Sequence, residues 1–390
     1  MNLSEGNTKV WLLSHPTMKE MALNIIKDCD TNMKILHLKD ESQRGGCGTP
    51  IRSIEYKNII NWKKFPDNWP NLFIENVKSV AGKDIIFLAS FHSPEVIFEQ
   101  LSIIYTLPKY LVRSFTLILP YFPTATMERV DTEGQIATAK TLAILVSAIP
   151  LTSRGPAKII IYDIHALQER FYFSDKVIPR LETAIPLLLR AIKGIDNLCI
   201  VFPDEGAYKR FHLCFPSSQF ADDMFVTCIK VRFGDSVRRV TIKEGDPVGK
   251  HCVIIDDLVM TGGTLLECAK LLISNGAKDV SAYVTHAVFP NESWKLFTPA
   301  YTNSEQDSSE NASSSANSRQ GIIENHTSPD KMGGDEDFDS RNGPVLRFSR
   351  FWITDSLPNS LTIAKNKPFV LLSLANVIAD TLLGYDLCVS

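Results

Sequence analysis

Short apolar runs alternate with helix-periodic segments along most of the chain. Runs of large apolar residues are typical of buried strands, whereas a period near 3.6 is typical of helices packed on a sheet. The runs predict strands at Lys9–Leu13, Asp84–Ala89, Phe115–Leu119, Lys158–Tyr162, Leu198–Phe202, Cys252–Ile255, Asp279–Val284 and Arg350–Ile353. The periodic segments predict helices at Met18–Cys29, Glu95–Thr106, Gln135–Ser147, Thr183–Ile192, Thr264–Asn275 and Phe369–Leu383. This alternation predicts an α/β fold with mostly parallel sheets flanked by helices.

One segment, Thr302–Pro344, breaks this pattern. It is rich in Ser, Asn, Asp and Glu and has few large apolar residues, so it cannot bury enough surface to offset its ordering entropy. We expect a disordered surface insertion. Its nine acidic and three basic residues give it a net charge of −6, which leaves +3 on the rest of a chain whose total is −3. The length of 390 residues then predicts two domains, at residues 1–175 and at residues 176–301 together with 345–390.

The overall composition excludes several classes of function. The 41 basic and 44 acidic residues argue against a protein that coats nucleic acid or an anionic membrane. No uncharged stretch reaches the roughly 18–20 apolar residues of a membrane-spanning helix, and the first residues do not resemble a secretory signal. The eight cysteines are scattered without a CxxC pair, which indicates reduced, buried thiols. We therefore expect a cytoplasmic protein with neither a nucleic-acid nor a membrane partner.

The strongest chemical signal is an acidic strand end followed by a glycine-rich turn. Asp256 and Asp257 follow the strand Cys252–Ile255, and a Thr-Gly-Gly-Thr turn at residues 261–264 opens the next helix. Glycines let the backbone approach a phosphate closely, while threonine hydroxyls and amides at a helix start donate hydrogen bonds to it. The carboxylates would accept hydrogen bonds from sugar hydroxyls or help to hold a metal. This constellation predicts a sugar-phosphate site, whereas a solvated turn after an acidic strand end would explain only the glycines.

This turn resembles the phosphoribosyl pyrophosphate (PRPP) loop that is shared by phosphoribosyltransferases and ribose-phosphate pyrophosphokinases, also called PRPP synthetases. Three further segments resemble the pyrophosphokinases: Ile161–Phe173 (IYDIHALQERFYF) their D-x-H segment, Val201–Phe211 (VFPDEGAYKRF) their P-D-x-G segment, and Lys230–Arg232 their K-x-R loop. The similarity is closest to the plant-type, class II branch and extends from about Asn61 to Ile378, apart from the acidic insertion. It implies two tandem domains, each resembling a type I phosphoribosyltransferase, with the active site between them.

The resemblance also implies roles for the matched residues. It implies that His165 and Asp204 bind Mg²⁺, and that Lys230 and Arg232 stabilise the transition state. It places ribose 5-phosphate at the acid pair and the turn, that is, at Asp256, Asp257, Thr261, Gly262, Gly263 and Thr264. It implies nucleotide contacts at Phe65, Asp67 and Arg129. The implied homo-oligomeric enzyme transfers the diphosphoryl group of Mg-ATP, or of another nucleoside triphosphate, to C1 of ribose 5-phosphate, a step that feeds nucleotide biosynthesis.

The chain departs from the commoner class of this family at several positions. Asn68 and Trp69 replace a Gly-Glu pair, Thr126 and Met127 replace an Arg-Gln pair, and Met260 replaces an acid that is common in the phosphate loop. The first two departures leave the choice of nucleotide open, whereas Met260 bears more on contacts to the ribose phosphate. Thr126 and Met127 keep a catalytically silent regulatory subunit as an alternative. A phosphoribosyltransferase is a further alternative, against which the D-x-H and K-x-R segments count.

Two histidines lead to separate predictions. Asp163 and His165 are two residues apart at a strand end, so we expect their side chains to point the same way. His286 follows the predicted strand Asp279–Val284. We expect it either near the phosphate site or in a structural hydrogen bond, and the sequence does not choose between these two positions.

Overall fold

The computed structural model describes residues 9–42, 52–233, 237–299 and 347–387. The predicted insertion at residues 302–344 lies outside these ranges. The described chain forms two sheets of mostly parallel strands and one small antiparallel hairpin, so the predicted fold class is confirmed. In these ranges, no helix has both the length and the apolar character that crossing a membrane requires.

The first sheet is entirely parallel. Its strands are β1 (Val10–Ser14), β2 (Ile54–Tyr56), β5 (Asp84–Leu88), β6 (Ser114–Leu119), β7 (Ala157–Tyr162) and β8 (Val177–Glu182), in the order β2-β1-β5-β6-β7-β8. Between them in sequence, β3 (Ile60–Lys64) and β4 (Pro70–Ile74) pair as a separate hairpin. The helices of this half are α1 (Lys19–Ser42), α2 (Pro94–Lys109) and α3 (Thr138–Ser147).

The second sheet has one antiparallel strand at its edge. Its strands are β9 (Leu198–Phe202), β10 (Phe225–Phe233), β11 (Val237–Glu244), β12 (His251–Val259), β13 (Asp279–Ala287), β14 (Phe351–Thr354) and β15 (Phe369–Leu372). They lie in the order β11-β10-β9-β12-β13-β14-β15, and β11 runs antiparallel to β10. The helices of this part are α4 (Ile185–Ala191), α5 (Glu205–Phe211), α6 (Gly263–Ser274), α7 (Ser360–Ile363) and α8 (Ala375–Tyr385).

The central strands of both sheets are covered on both faces. Every residue of β5 is buried, and β13 is buried from Val280 to Ala287. A strand without an exposed face needs no polar residues, so it appears in the sequence as a continuous apolar run. The apolar runs therefore predict these strands correctly. They do not predict β2, β3, β4 or β8, most of whose residues are partly or fully exposed.

Two of the predicted helices differ from the structure. The helix predicted at Phe369–Leu383 is wrong in its first part, because Phe369–Leu372 forms β15 in parallel register with β14 and α8 begins only at Ala375. A short apolar run is buried equally well in a strand or a helix, so its periodicity does not distinguish the two elements. Here the run forms a strand because it pairs with the free edge of β14. Helix α1 continues to Ser42, well beyond the predicted end at Cys29.

The chain returns to its first half after completing the second sheet. Strand β8 pairs with β7 up to Glu182, so the first sheet continues beyond residue 175. Helix α8 packs against α1, and its Ile378 and Leu382 are buried in one cluster with Leu12 and Ile86 of the first sheet. These contacts place β8 in the first sheet and α8 against it. The predicted domain limits stay a prediction.

Candidate active site

The predicted sugar-phosphate site lies where β12 leads into α6. The sequence predicted that this strand ends at Ile255, before the acid pair. Instead, β12 continues through Asp256 and Asp257 to Val259, alongside β13. Helix α6 begins at Gly263, after Gly262 in a left-handed conformation with a φ of 85°. The first amides of a helix have no partner within it, so the turn and the helix start together form a place where an anion can bind.

One cavity of about 530 Å³ gathers most of the predicted site residues. Its walls come from both halves of the chain: the segment after β7, helix α5 and the turn after β12. This volume lies within the range of about 300–1,000 Å³ that is typical of ligand pockets. The predicted residues on its walls are Arg129, His165, Asp204, Lys230, Asp256, Asp257, Thr261, Gly262, Gly263 and Thr264.

Three other predicted residues lie elsewhere or lack a described side chain. Phe65 and Asp67 lie at the turn of the β3–β4 hairpin, where Phe65 is half-exposed. Asp67 lines a different cavity of about 340 Å³, together with Trp69 and Phe98. The backbone of Arg232 lies in β10, but its side chain is outside the described part of the chain. Within one copy, the hairpin residues therefore do not line the main cavity.

Asp257 links the two halves of the chain. Its Oδ2 lies 2.8 Å from His165 Nδ1 and 2.8 Å from Arg210 Nη1. The side chain of Asp257 is 4% exposed and that of Arg210 is 12% exposed, so little water screens this pair. Burial alone would raise the pKa of Asp257, but the hydrogen bond from His165 and the charge of Arg210 hold it below its usual range. The same hydrogen bond raises the pKa of His165.

Asp256 behaves differently from its neighbour. Its Oδ1 accepts a hydrogen bond from the backbone N–H of Asp257 at 3.0 Å. Burial, reinforced by the charge of Asp257, raises the pKa of Asp256 well above its usual range. The two neighbouring carboxyl groups therefore lie in opposite environments: burial and the charge of Asp257 disfavour ionisation of Asp256, whereas His165 and Arg210 favour ionisation of Asp257.

Arg210 is a site residue that sequence reasoning missed. It lies within the matched segment Val201–Phe211, where only Asp204 is given a role. The sequence could have indicated Arg210 only as a basic residue on the helix that begins after Asp204. Basic residues on a solvent-exposed helix give the same pattern. Only the packing of α5 beside β12 shows that Arg210 reaches Asp257.

Glu169 is a second residue that the motifs do not single out. Its Oε1 accepts a hydrogen bond from the backbone N–H of Ala166, the residue after His165, at 3.0 Å. Burial raises the pKa of Glu169 to about 7. Its Oε2 is buried and has no hydrogen-bond partner among the described residues. A buried carboxyl that titrates near neutral pH therefore lies beside the predicted metal ligand.

Asp204 and Lys230 are neighbours in the cleft. Asp204 is the N-cap of α5, since its Oδ1 accepts a hydrogen bond from the N–H of Ala207 at 3.0 Å. Its Oδ2 lies 3.4 Å from Lys230 Nζ. The two side chains are 37% and 40% exposed, so both remain accessible to a ligand. The predicted catalytic cation thus lies next to a predicted metal ligand.

Both predicted magnesium ligands lie on the cavity wall, where Asp204 offers the carboxylate oxygens that Mg²⁺ prefers and His165 offers a ring nitrogen. Among the described residues, no group of three or more His, Cys, Asp and Glu side chains could enclose a metal. Mg²⁺ commonly binds one or two carboxylates and completes its shell with water and phosphate oxygens, so few protein ligands suffice. A ligating histidine usually donates its other ring N–H to a carboxylate. Asp257 is placed for that contact at Nδ1, which leaves Nε2 for the ion.

Asp163 has a structural contact and does not line the cavity. It follows the end of β7 with a φ of 39°, so the alternation of a regular strand does not govern its direction relative to His165. Its Oδ2 accepts hydrogen bonds from Ala184 N at 2.9 Å and from Thr285 Oγ1 at 2.7 Å. These contacts tie the end of the first sheet to β13 of the second.

His286 is a buried structural residue. Its Nε2 lies 3.1 Å from the carbonyl oxygen of Tyr162, and its Nδ1 lies 3.0 Å from Ser356 Oγ. Burial lowers the pKa of His286. Of the two positions that the sequence leaves open, the structural hydrogen bond is the one observed, and it also joins the two halves of the chain.

Comparison with known proteins agrees with this arrangement. Residues 53–149 match the family model for the N-terminal domain of ribose phosphate pyrophosphokinase, and residues 216–308 match that for the phosphoribosyl transferase domain. Ribose-phosphate pyrophosphokinase 4 of Oryza sativa subsp. japonica is 49% identical over 330 residues, which cover 83% of this chain and 87% of the relative. The chain belongs to the ribose-phosphate pyrophosphokinase family. The family that the motifs indicate is thus confirmed.

Further ribose-phosphate pyrophosphokinases and a solved structure are also similar to this chain. Ribose-phosphate pyrophosphokinase 3, mitochondrial, of Spinacia oleracea is 46% identical over 327 residues, which cover 83% of this chain and 70% of that protein. The crystal structure of phosphoribosylpyrophosphate synthetase from Mycobacterium smegmatis aligns with a TM-score of 0.64 at 20% identity, covering 96% of this chain and 98% of that one. At this identity the solved structure supports the fold, while the plant relatives support the plant-type branch.

Proposed function

We propose that this chain transfers the β,γ-diphosphoryl group of Mg-ATP to the C1 hydroxyl of ribose 5-phosphate, releasing AMP and PRPP. The observation that supports this most strongly is the shared cavity, which is lined by the phosphate-binding turn, the acid pair and Lys230. A phosphoribosyltransferase needs the turn and the acid pair, but it does not account for His165, Asp204 and Lys230 in the same cavity. The diphosphoryl transfer uses all of them.

Ribose 5-phosphate is proposed to bind at the carboxyl end of β12. Its phosphate accepts hydrogen bonds from the hydroxyls of Thr261 and Thr264 and from amides at the start of α6, where Gly262 and Gly263 allow close approach. Its ring hydroxyls donate hydrogen bonds to carboxyl oxygens of the acid pair, since both Asp256 and Asp257 line the cavity. Attachment at two points fixes the sugar in one orientation, which an in-line transfer requires.

The triphosphate is proposed to bind beside Lys230. Diphosphoryl transfer brings several anionic oxygens together, so cations placed in advance lower the barrier by stabilising the charge that develops. Lys230 Nζ lies 3.4 Å from Asp204, and its partly exposed side chain can contact a phosphate oxygen instead. Arg232, two residues further along β10, is proposed to act with it, because a guanidinium can hold two oxygens at once.

Mg²⁺ is the proposed cofactor, with His165 and Asp204 as its protein ligands. When bound, the ion neutralises phosphate charge and holds the phosphates in one geometry. The chain itself contributes orientation: Asp257 holds His165 Nδ1, and Arg210 balances the charge of Asp257. Because the positive charge of Arg210 offsets the negative charge of Asp257, the acid pair can lie close to anionic substrates.

A second copy of the chain is proposed to complete the nucleotide site. Phe65 and Asp67 lie on the hairpin outside the main cavity, whereas Arg129 lies on its wall. The same hairpin exposes Trp69 by 59% and Phe73 by 63%, and exposed aromatic side chains are enriched in protein interfaces. Light scattering should show a homo-oligomer. A monomer with full activity would contradict this part of the proposal.

The proposed location is the cytoplasm. Of the six cysteines in the described ranges, all are free and five are buried, as expected for a reducing compartment. The similar proteins include chloroplastic and mitochondrial ones, so the compartment needs its own test. The full chain with a C-terminal fluorescent protein should give a diffuse cytoplasmic signal, and an organellar signal would overturn this location.

A direct assay tests the reaction. The purified chain with ribose 5-phosphate, Mg²⁺ and ATP should form AMP and PRPP in equal amounts. A panel of nucleoside triphosphates, with and without inorganic phosphate, measures the choice of nucleotide at the site lined by Thr126 and Arg129. Absence of AMP with the chain alone, together with tight association with an active relative, would indicate the regulatory subunit. Consumption of PRPP with a nucleobase would indicate a phosphoribosyltransferase.

A further inference from the structure

The segment Phe289–Thr298 lies directly against the phosphate-binding turn. The N–H of Phe289 donates a hydrogen bond to the carbonyl oxygen of Val259 at 3.2 Å. Ser293 Oγ donates one to the carbonyl oxygen of Met260 at 3.0 Å. The segment follows β13, and none of its residues lines the cavity. It therefore contacts the turn from behind and does not face the proposed substrate.

The ring of Phe297 occupies the space beside Gly262. A Cβ atom added at Gly262 would lie 2.4 Å from Phe297 Cζ and 2.6 Å from Cε2, closer than non-bonded carbon atoms approach. Phe297 is buried in an aromatic group, so its ring cannot easily move away; the other members of the group are Phe289, Phe348, Phe351 and Phe369. The ring thus forms a fixed wall behind the left-handed backbone of Gly262.

Ser293 controls the direction of one amide in the turn. The peptide between Met260 and Thr261 is trans and planar, so the carbonyl oxygen of Met260 and the N–H of Thr261 point in opposite directions. Because Ser293 holds the carbonyl on its own side, the N–H of Thr261 is fixed on the other side. Thr261 is one of the residues that line the cavity. The hydroxyl of Ser293 is thus the side-chain group that contacts the Met260 carbonyl of this peptide unit.

The backbone of the segment is itself held in an unusual conformation. Phe289, Asn291 and Glu292 have φ angles of 43°, 53° and 56°, in the left-handed region that residues other than glycine rarely adopt. Such conformations cost free energy and persist only where surrounding contacts impose them, often beside functional sites. Contact with the turn and the aromatic group, and not local preference, therefore determines the shape of this segment.

We propose that Ser293 and Phe297 are positioning residues for ribose 5-phosphate: Ser293 orients the amide of Thr261, and Phe297 fixes the backbone of Gly262. This rests on the proposed role of the turn as the phosphate site. Amides bind an anion well only when they point at it, and a misplacement of about 1 Å can cost about 10²-fold in rate. The affinity for ribose 5-phosphate depends on these two residues, whereas the affinity for ATP does not.

Ser293 is tested by a matched set of substitutions. Ser293→Ala should raise the Kd for ribose 5-phosphate, measured by calorimetry, and its KM by roughly three- to tenfold, with the KM for ATP unchanged. Ser293→Thr keeps the hydroxyl and should restore the affinity. The control is Ser274→Ala, which removes a hydroxyl that donates to the Leu271 carbonyl at 2.8 Å at the far end of α6. The control should change neither constant.

Phe297 is tested against a second ring of the same aromatic group. Phe297→Leu removes the wall behind Gly262 and should weaken ribose 5-phosphate binding by roughly tenfold or more. Phe348→Leu removes a ring whose centroid is 5.5 Å from that of Phe297. It is a matched control, because the atoms nearest to a Cβ added at Gly262 all belong to Phe297 and none to Phe348. Both variants should melt at a lower temperature than wild type, but only Phe297→Leu should change the Kd.

The outcomes separate this proposal from the proposed function. If wild type binds ribose 5-phosphate and both Ser293→Ala and Phe297→Leu bind it equally well, the positioning role is wrong. If Phe297→Leu does not fold, the Kd of Ser293→Ala for ribose 5-phosphate alone tests the positioning role. If wild type does not bind ribose 5-phosphate, the assignment of the turn as its phosphate site is overturned instead.

Discussion

His165 Nδ1 lies 2.8 Å from Asp257 Oδ2, and this hydrogen bond crosses the junction between the two halves of the chain. His165 follows β7 of the first sheet, whereas Asp257 lies on β12 of the second. The contact therefore exists only when the halves are packed together. It makes the geometry of a predicted metal ligand depend on a residue of the proposed ribose site.

Asp257→Asn should lower the pKa of His165, because a neutral amide does not stabilise the protonated ring as the carboxylate does. Activity should fall by about 10- to 100-fold, as for other partners of ligating histidines. An NMR titration of the His165 ring measures the shift. Asp279→Asn is the control, since Asp279 pairs with His251 at 3.4 Å on another part of the protein. An unchanged pKa of His165 would contradict the assigned contact.

Arg210→Met should destabilise the folded protein by about 2 kcal/mol, since it removes one partner of the buried carboxylate of Asp257 and leaves His165. Urea unfolding, followed at the first transition, measures the change. Lys243→Met is the control, because its ion pair with Glu205 at 2.6 Å is half-exposed and should contribute nothing measurable. Equal stability of the two variants would show that Arg210 does not hold Asp257.

Lys230→Ala should lower kcat by about 10²- to 10³-fold, the usual loss when one group that stabilises transition-state charge is removed. The KM for ribose 5-phosphate should change little, because Lys230 lies beside Asp204 and not at the turn. Rapid-quench measurement of AMP release tests both statements. Lys243→Ala on the neighbouring strand β11 should leave turnover unchanged. Near-full turnover of Lys230→Ala would overturn the catalytic assignment.

Glu169 should make stability depend on pH. Its pKa is raised from 4.5 to about 7 in the folded protein, so between these values the folded state keeps a proton that the unfolded state releases. The resulting stabilisation is fully present below pH 4.5 and is lost as the pH rises through about 7.

Glu169→Gln cannot ionise and should lose this dependence. Relative to wild type, the variant should gain up to about 3 kcal/mol of stability at pH 8 and nothing near pH 4.5. Urea unfolding across this range measures the difference, with the exposed Glu205→Gln as a control. Parallel stability profiles of Glu169→Gln and wild type would show that Glu169 titrates normally.

The sequence predicted the central strands, and most of the site residues that it singled out lie on the cavity wall. Residues such as Ile85 and Ile254 are buried on covered strands, so their apolar character carries the information locally. The Thr-Gly-Gly-Thr turn was found because its residue types suit the chemistry of phosphate, whereas Asp204 and Lys230 were found through the resemblance of their segments to the family. By contrast, Phe369–Leu372 was placed in a helix, since a short apolar run fits either element until its neighbours are known.

Residue types and their order along the chain by themselves determined the fold class and the family, and they support the proposal of a sugar-phosphate site at the turn. Tertiary structure alone decided that Arg210 reaches Asp257, that Phe297 lies behind Gly262, and that the final helix packs on the first sheet. Each of these contacts joins residues far apart in sequence, and the same residue types are equally compatible with a solvated surface or another core. Local pattern encodes burial and chemistry, whereas the partner of each side chain is fixed only when distant segments pack together.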